Sequence, residues 1–149
     1  MSQSPSFGII VKVDMAGSTA YVQVSNIKDV SGPDLSRGDV DATSHDSADG
    51  WREFFPGLAD GGTFSFPMGL DPTEGVQVGG AGTGLLGDLD RDGCTMPAWE
   101  ITLNNCGATI AKWTFDGYVN GFSNAYPLEG INTVDVSVKV TGKPTLTVT

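Results

Sequence analysis

Hydrophobic residues recur at every second position in several stretches of this chain, the mark of strands with one buried face. The clearest is Val134, Val136, Val138 and Val140, alternating with Asp135, Ser137, Lys139 and Thr141. Ile9, Val11 and Val13 alternate with Ile10, Lys12 and Asp14. After the turn-like Ala16-Gly17-Ser18 the rhythm returns in Ala20, Val22 and Val24, which predicts a hairpin. Thr63-Phe64-Ser65-Phe66 predicts a strand ended by Pro67. Trp99, Ile101 and Leu103 predict another, Asn104-Asn105-Cys106-Gly107 a turn, and Thr109 to Asn120 a long strand with Ala111, Trp113, Phe115 and Val119 on one face.

Two stretches break the rhythm. From Asp29 to Gly50 the chain holds Gly, Pro, Ser and six Asp residues, a connection longer than a compact domain ordinarily needs. At its end Asp46 or Ser47 can cap a short helix that brings Trp51, Phe54 and Phe55 to one face, with Leu58 following the stop at Pro56-Gly57. Residues 70–96 carry a Gly-rich run from Gly79 to Gly84 and then Leu85, Leu86 and Leu89, where a short, poor helix is expected. Six or seven strands and one helix predict a mainly β fold. Two packed antiparallel sheets (a β-sandwich) or a partly closed barrel both satisfy the pattern, with one short α-helix flanking an edge.

The length of 149 residues suits one domain, and 39% hydrophobic with 17% charged residues is a globular composition rather than a disordered one. Plentiful Gly, Thr, Ser and Val agrees with strands and turns. The net charge of −10 opposes any general affinity for nucleic-acid phosphates. No basic cluster followed by an apolar run opens the chain, so synthesis in a cytoplasm is expected, and no apolar stretch of roughly 18 residues predicts a membrane span. Cys94 and Cys106 could meet across a hairpin, but a reducing compartment disfavours a disulfide, and free thiols are expected.

Candidate chemistry is sparse. Asp88, Asp90 and Asp92, followed by Gly93, resemble the first half of a calcium loop, yet the twelfth position of that pattern is Trp99 instead of a bidentate Glu. Calcium is thus a weak candidate, and no other cofactor is suggested. The single histidine, His45, lies far in sequence from both cysteines, which argues against zinc and against a nucleophile and base pair. No nucleophile elbow occurs, and no lysine accompanies the Gly-rich run as phosphate binding requires. No enzyme activity is expected.

Two blocks of sequence carry a resemblance. The first runs from Leu35-Ser36-Arg37-Gly38-Asp39-Val40-Asp41-Ala42-Thr43 to Trp51-Arg52-Glu53-Phe54-Phe55-Pro56-Gly57-Leu58-Ala59-Asp60-Gly61-Gly62-Thr63-Phe64. The second is Trp113-Thr114-Phe115-Asp116-Gly117-Tyr118-Val119-Asn120-Gly121-Phe122, then an Ala-x-Pro-Leu turn, the Val-rich strand and Val140-Thr141-Gly142-Lys143-Pro144. In this order they resemble the tail tube proteins of long, non-contractile phage tails, from about Phe7 to Leu146. The departure falls between Leu70 and Met96.

The resemblance implies a structural virion protein whose subunits form hexameric rings stacked into a hollow tube, through which genomic DNA passes without specific binding. Expected partners are further copies of the chain, a tape measure protein, a tail terminator and tail tip proteins, with no membrane. The 30–50 loop would make contacts between rings, with Asp34, Arg37, Asp39, Asp41, His45 and Asp46 as contact residues. Trp51, Phe54, Phe55 and Leu58 would pack the helix, and Asp116 and Asp135 would face the lumen and repel phosphates. The rival readings are a calcium-assisted β-sandwich binding module and a terminator or baseplate protein of the same fold.

Overall fold

A computed structural model describes residues 7–17, 20–80, 83–92 and 96–149. Within them lie β1 (Ile10–Asp14), β2 (Val22–Gln23), β3 (Ser36–Asp41), β4 (Phe54–Asp60) and β5 (Thr63–Gly69). A short helix, α1 (Gly75–Val78), precedes β6 (Ala98–Asn105), β7 (Ala108–Ala125) and β8 (Thr133–Val148). Six strands make one antiparallel sheet in the order β2-β1-β6-β7-β8-β5, while β3 and β4 pair only with each other.

The sheet curves into a half-barrel, and one continuous segment links its two edges. Val22 and Val24 bond along β1; beyond Asn26, whose φ of 61° turns the chain, Ile27 and Ser31 bridge to Met68 and Ser65 of β5. Of the two arrangements left open by the pattern, the partly closed barrel is the one that forms. Pro67 does not end β5 as its type suggested. On this strand the N–H groups of Ser65 and Gly69 point toward the crossing segment, so the equivalent position of Pro67 costs no bond to β8.

The alternating valines are buried as the pattern requires: Val134, Val136, Val138 and Val140 are at most 3% exposed. They face Val11 and Val13 of β1, and Phe64, Phe66, Trp99 and Phe115. The Phe64 ring lies 5.3 to 5.9 Å from Phe66, Phe115 and Trp99, mostly in tilted or edge contacts that suit aromatic quadrupoles. The Trp99 indole Nε1–H donates to the Gly117 carbonyl, so the largest buried side chain leaves no polar atom unpaired.

Residues 70–80 and 83–92 pack against this body with more order than their composition predicts. The fully buried Gln77 donates through Nε2 to the carbonyls of Ser25 and Gly69 and accepts the Asp71 N–H. Gly84 lies so close to Gly79 that a Cβ there would be 2.2 Å from the Gly79 nitrogen. Gly79 and Gly84 therefore serve close backbone packing rather than flexibility. Leu85 is buried as expected of a helix face, but Leu86 and Leu89 are exposed, and only a single 3-10 turn, Gly87–Asp90, forms beside them. Cys106 is exposed and free in the β6–β7 turn; Cys94 lies outside the described residues.

Candidate assembly interfaces

The expected loop at 30–50 and helix around Trp51 are replaced by a β-hairpin arm. Its 3-10 turn, Ala48–Gly50, contains positive φ at Asp49 (56°) and Gly50 (73°), which stops any helix before Trp51. The chain then extends into β4, and Phe55 pairs with Val40 while Phe54 pairs with Asp41. Phe54 and Phe55 thus point to opposite faces instead of sharing one. Two adjacent phenylalanines followed by a proline favour an extended chain, and the ladder with β3 supplies the bonds a helix would have made internally. Trp51, Phe54, Phe55 and Leu58 consequently do not pack a helix.

The described residues leave these side chains mostly exposed. Every residue of β3 is exposed, and of β4 only Gly57 is half-buried. Trp51, Phe55 and Leu58 are 76%, 65% and 94% exposed. A two-stranded ribbon has little stability of its own in water, so an arm with apolar residues on both faces is a surface in want of a partner. Between Ser36 and Asp60 it also carries six carboxylates and two arginines.

The expected contact residues are spread along this arm. Arg37, Asp39 and Asp41 lie on β3, Asp34 at its foot, and His45 and Asp46 at the tip, all exposed. The tip is held by its own polar groups: Thr43 and Glu53 exchange backbone and side-chain bonds, and the Ser47 hydroxyl donates to the Glu53 carboxylate at 2.9 Å. Hydrogen bonds from the Thr43 side chain and backbone hold the Asp41 carboxyl below its usual range. Its 4.0 Å contact with Arg52 is solvated and contributes little.

At the foot, Gly62 adopts φ 72°, and a Cβ there would lie 2.1 Å from the Asp34 carbonyl. Asp60 accepts from the Gly62 N–H at 2.7 Å and from Lys139 Nζ of β8 at 3.0 Å. Both bonds lower its pKa, the Gly62 bond more. These contacts aim the arm relative to the sheet, which no local sequence pattern encodes.

Asp116 and Asp135 are exposed on the sheet face opposite the core, each flanked by buried neighbours. By register they are six residues apart along β8, about 20 Å. Asp116 belongs to an acidic group with Glu100 and Asp14 around Tyr21, whose phenol is raised above its ordinary value by burial and then by these three carboxylates. The same face also presents Lys12, Lys112 and Lys139. Lys112 approaches Glu100 at 3.9 Å, so the face is of mixed charge. Sequence reading missed this because it weighed the acids of each strand alone.

Asp88 does not behave as a calcium ligand. It is buried, with Oδ2 accepting the Val119 N–H at 2.7 Å and Oδ1 2.6 Å from Arg91 Nε, while Asp90 points to solvent. Among the described residues no group of three or more His, Cys, Asp or Glu is placed to hold a metal ion. No described helix is long and apolar enough to cross a membrane.

The sheet has a staggered outline. β6 pairs with the first half of β7 and β5 with the first half of β8. Among the described residues this leaves Gly121–Ala125 of β7 and residues 142–148 of β8 without a strand neighbour on their outer sides.

Solved structures of phage-like tail components share this fold. A chain from the sheath/tube terminator of an extracellular contractile injection system superimposes with a TM-score of 0.73 at 13% identity, covering 99% of this chain and 98% of that one. A chain of the anti-feeding prophage baseplate gives 0.75 at 8% identity, covering 99% and 97%. A tail protein of a gene transfer agent particle gives 0.68 at 16%, covering 97% and 99%. No curated protein sequence matches the chain. A sequence model of the lambda phage tail tube protein family matches residues 13–147, and the chain belongs to that family. It is a structural, non-enzymatic phage tail protein.

Proposed function

We propose that this protein assembles into hexameric rings that stack into the hollow tube of a phage tail, through which genomic DNA is ejected. The observation that carries the reading is the β3–β4 arm, whose apolar side chains the described residues leave largely exposed. Burying them against the next ring satisfies them. Within a ring, the open edge of β7 in one subunit meets the open edge of β8 in the next, a head-to-tail contact that closes when the rotation per subunit divides the circle. Made in the host cytoplasm, the subunit joins a tape measure protein inside the tube, and terminator and tip proteins at its ends.

The face bearing Asp116 and Asp135 lines the lumen, where carboxylates keep phosphates from adhering and the lysines moderate the field. Electron microscopy of the purified protein tests the reading. Hollow tubes at raised concentration are expected, and a monomer at every concentration would overturn it. The likeness to chains from a sheath/tube terminator structure and a baseplate structure favours one second reading, a component that stops at a single ring. Single rings that never elongate, even with seeds of preformed tube, would select it.

A further inference from the structure

We propose that Asp88 is a strand-edge stop that confines lateral pairing to Gly121–Ala125, by capping β7 where β6 runs out. The inference rests on the lateral contact proposed above. On the β6 side of β7 the ladder ends in an orderly way. Ala98 pairs with Asp116, and the Gly117 N–H donates to the Pro97 carbonyl at 3.1 Å. The Val119 N–H, two residues on, donates to Asp88 Oδ2 at 2.7 Å. A side-chain carboxylate thus stands where a partner strand would place its carbonyl.

That carboxylate is costly to keep there. Asp88 is 4% exposed, and an ionised group at that depth persists only when paired and hydrogen-bonded. Arg91 supplies the charge: Nε lies 2.6 Å from Oδ1, off the line of a directed hydrogen bond, so the contact is an ion pair. The guanidinium is itself tied down, because Nη2 donates to the Met15 carbonyl just past β1 at 2.6 Å. The cap is therefore braced from β1 across to β7. A segment that only filled space against β7 would need an apolar contact, not a buried ion pair.

The position of the cap gives it a consequence. A carboxylate accepts but does not donate, whereas a strand entering the ladder must do both in alternation. An incoming edge therefore finds Val119 closed. Directly after it comes a register shift between Val119 and Gly121, and from there to Ala125 the outer side of β7 is open among the described residues. Cap and bulge together mark where intramolecular pairing ends and where a second copy enters, and so fix the register between neighbours. Asp88 acts here as a positioning residue.

Hydrogen exchange on the native protein tests this directly. The Val119 amide should be protected already in the unassembled subunit, while outward amides of Gly121–Ala125 should gain protection only on assembly. In the double variant D88L/R91M, an apolar replacement of a kind that commonly preserves stability, Val119 should lose protection by about tenfold or more in the free subunit. Its assemblies should vary in diameter, as the register slips by two residues. D88N, which keeps an acceptor for Val119, should retain the uniform diameter. Uniform assemblies from the double variant with an exchanging Val119 would overturn the stop alone. A Val119 amide unprotected in the free subunit would do the same without any variant. Gly121–Ala125 amides that gain nothing on assembly would overturn the lateral contact together with the stop.

Discussion

Replacing Phe55 by Thr should leave the subunit intact and cripple its assembly. The ring is 65% exposed on a strand with no core behind it, and Thr keeps the β preference of the position. With roughly 200 Å² for a phenylalanine side chain, about 130 Å² faces solvent in the free subunit. At about 25 cal/mol per Å², covering it in a stacked ring would contribute up to about 3 kcal/mol per subunit. Losing most of that raises the concentration needed for assembly by about a hundredfold. The free subunit should change in stability by no more than about 0.5 kcal/mol, because the residue lies mostly in solvent on a ribbon outside the core. Light scattering against concentration gives the first quantity and thermal melting of the dilute protein the second. Assembly at the wild-type concentration, or a melting loss as large as a core truncation causes, would refute the argument that the arm is an unpartnered surface.

Phe64→Ala is the contrasting case, since a fully buried ring touching three other aromatics should cost about 3–5 kcal/mol and lower the melting temperature sharply, assembled or not. Gly62→Ala forces a Cβ against the Asp34 carbonyl at positive φ, so it should destabilise by more than about 1 kcal/mol in urea unfolding or turn the arm aside. Asp60 has its folded pKa lowered by the Gly62 N–H and by Lys139, so its contribution is present above the ordinary carboxylate value and fades as pH falls through the folded value. Unfolding followed across the acid range should therefore show a flatter decline for Asp60→Asn than for the native protein, and identical acid limbs would remove Asp60 from the account.

Much of the sheet was legible because a strand with one buried face writes its period into a few residues. Trp99 and Ile101 on β6, Phe115 and Val119 on β7 and the β8 valines are all buried where alternation put them. The arm was not legible. Ser36 to Asp41 has no apolar alternation at all, and it becomes a strand only because β4 lies beside it. The spacing of Trp51, Phe54 and Phe55 fits a helix face equally well until the positive φ values at Asp49 and Gly50 rule that out. The acidic turn at Asp88 read as half a calcium loop because sequence does not reveal that Val119, 31 residues on, and Arg91 occupy its carboxylate.

The sequence by itself determined a mainly β chain with a valine-rich core face, no catalytic set, and membership in a family marked by two ordered blocks. The β pattern, the core face and the lack of a catalytic set follow from local periodicity and residue types that no partner can alter, whereas the family follows from the resemblance of the two blocks. The tertiary structure alone decided that Val22 to Ser31 links both sheet edges, that an acidic, aromatic stretch stands out as a bare ribbon, and that the lumen candidates share their face with lysines. The physical reason is that strand pairing is bonded between segments far apart in the chain. Which edges are filled, and which remain open for another copy, depends on where every other strand begins and ends.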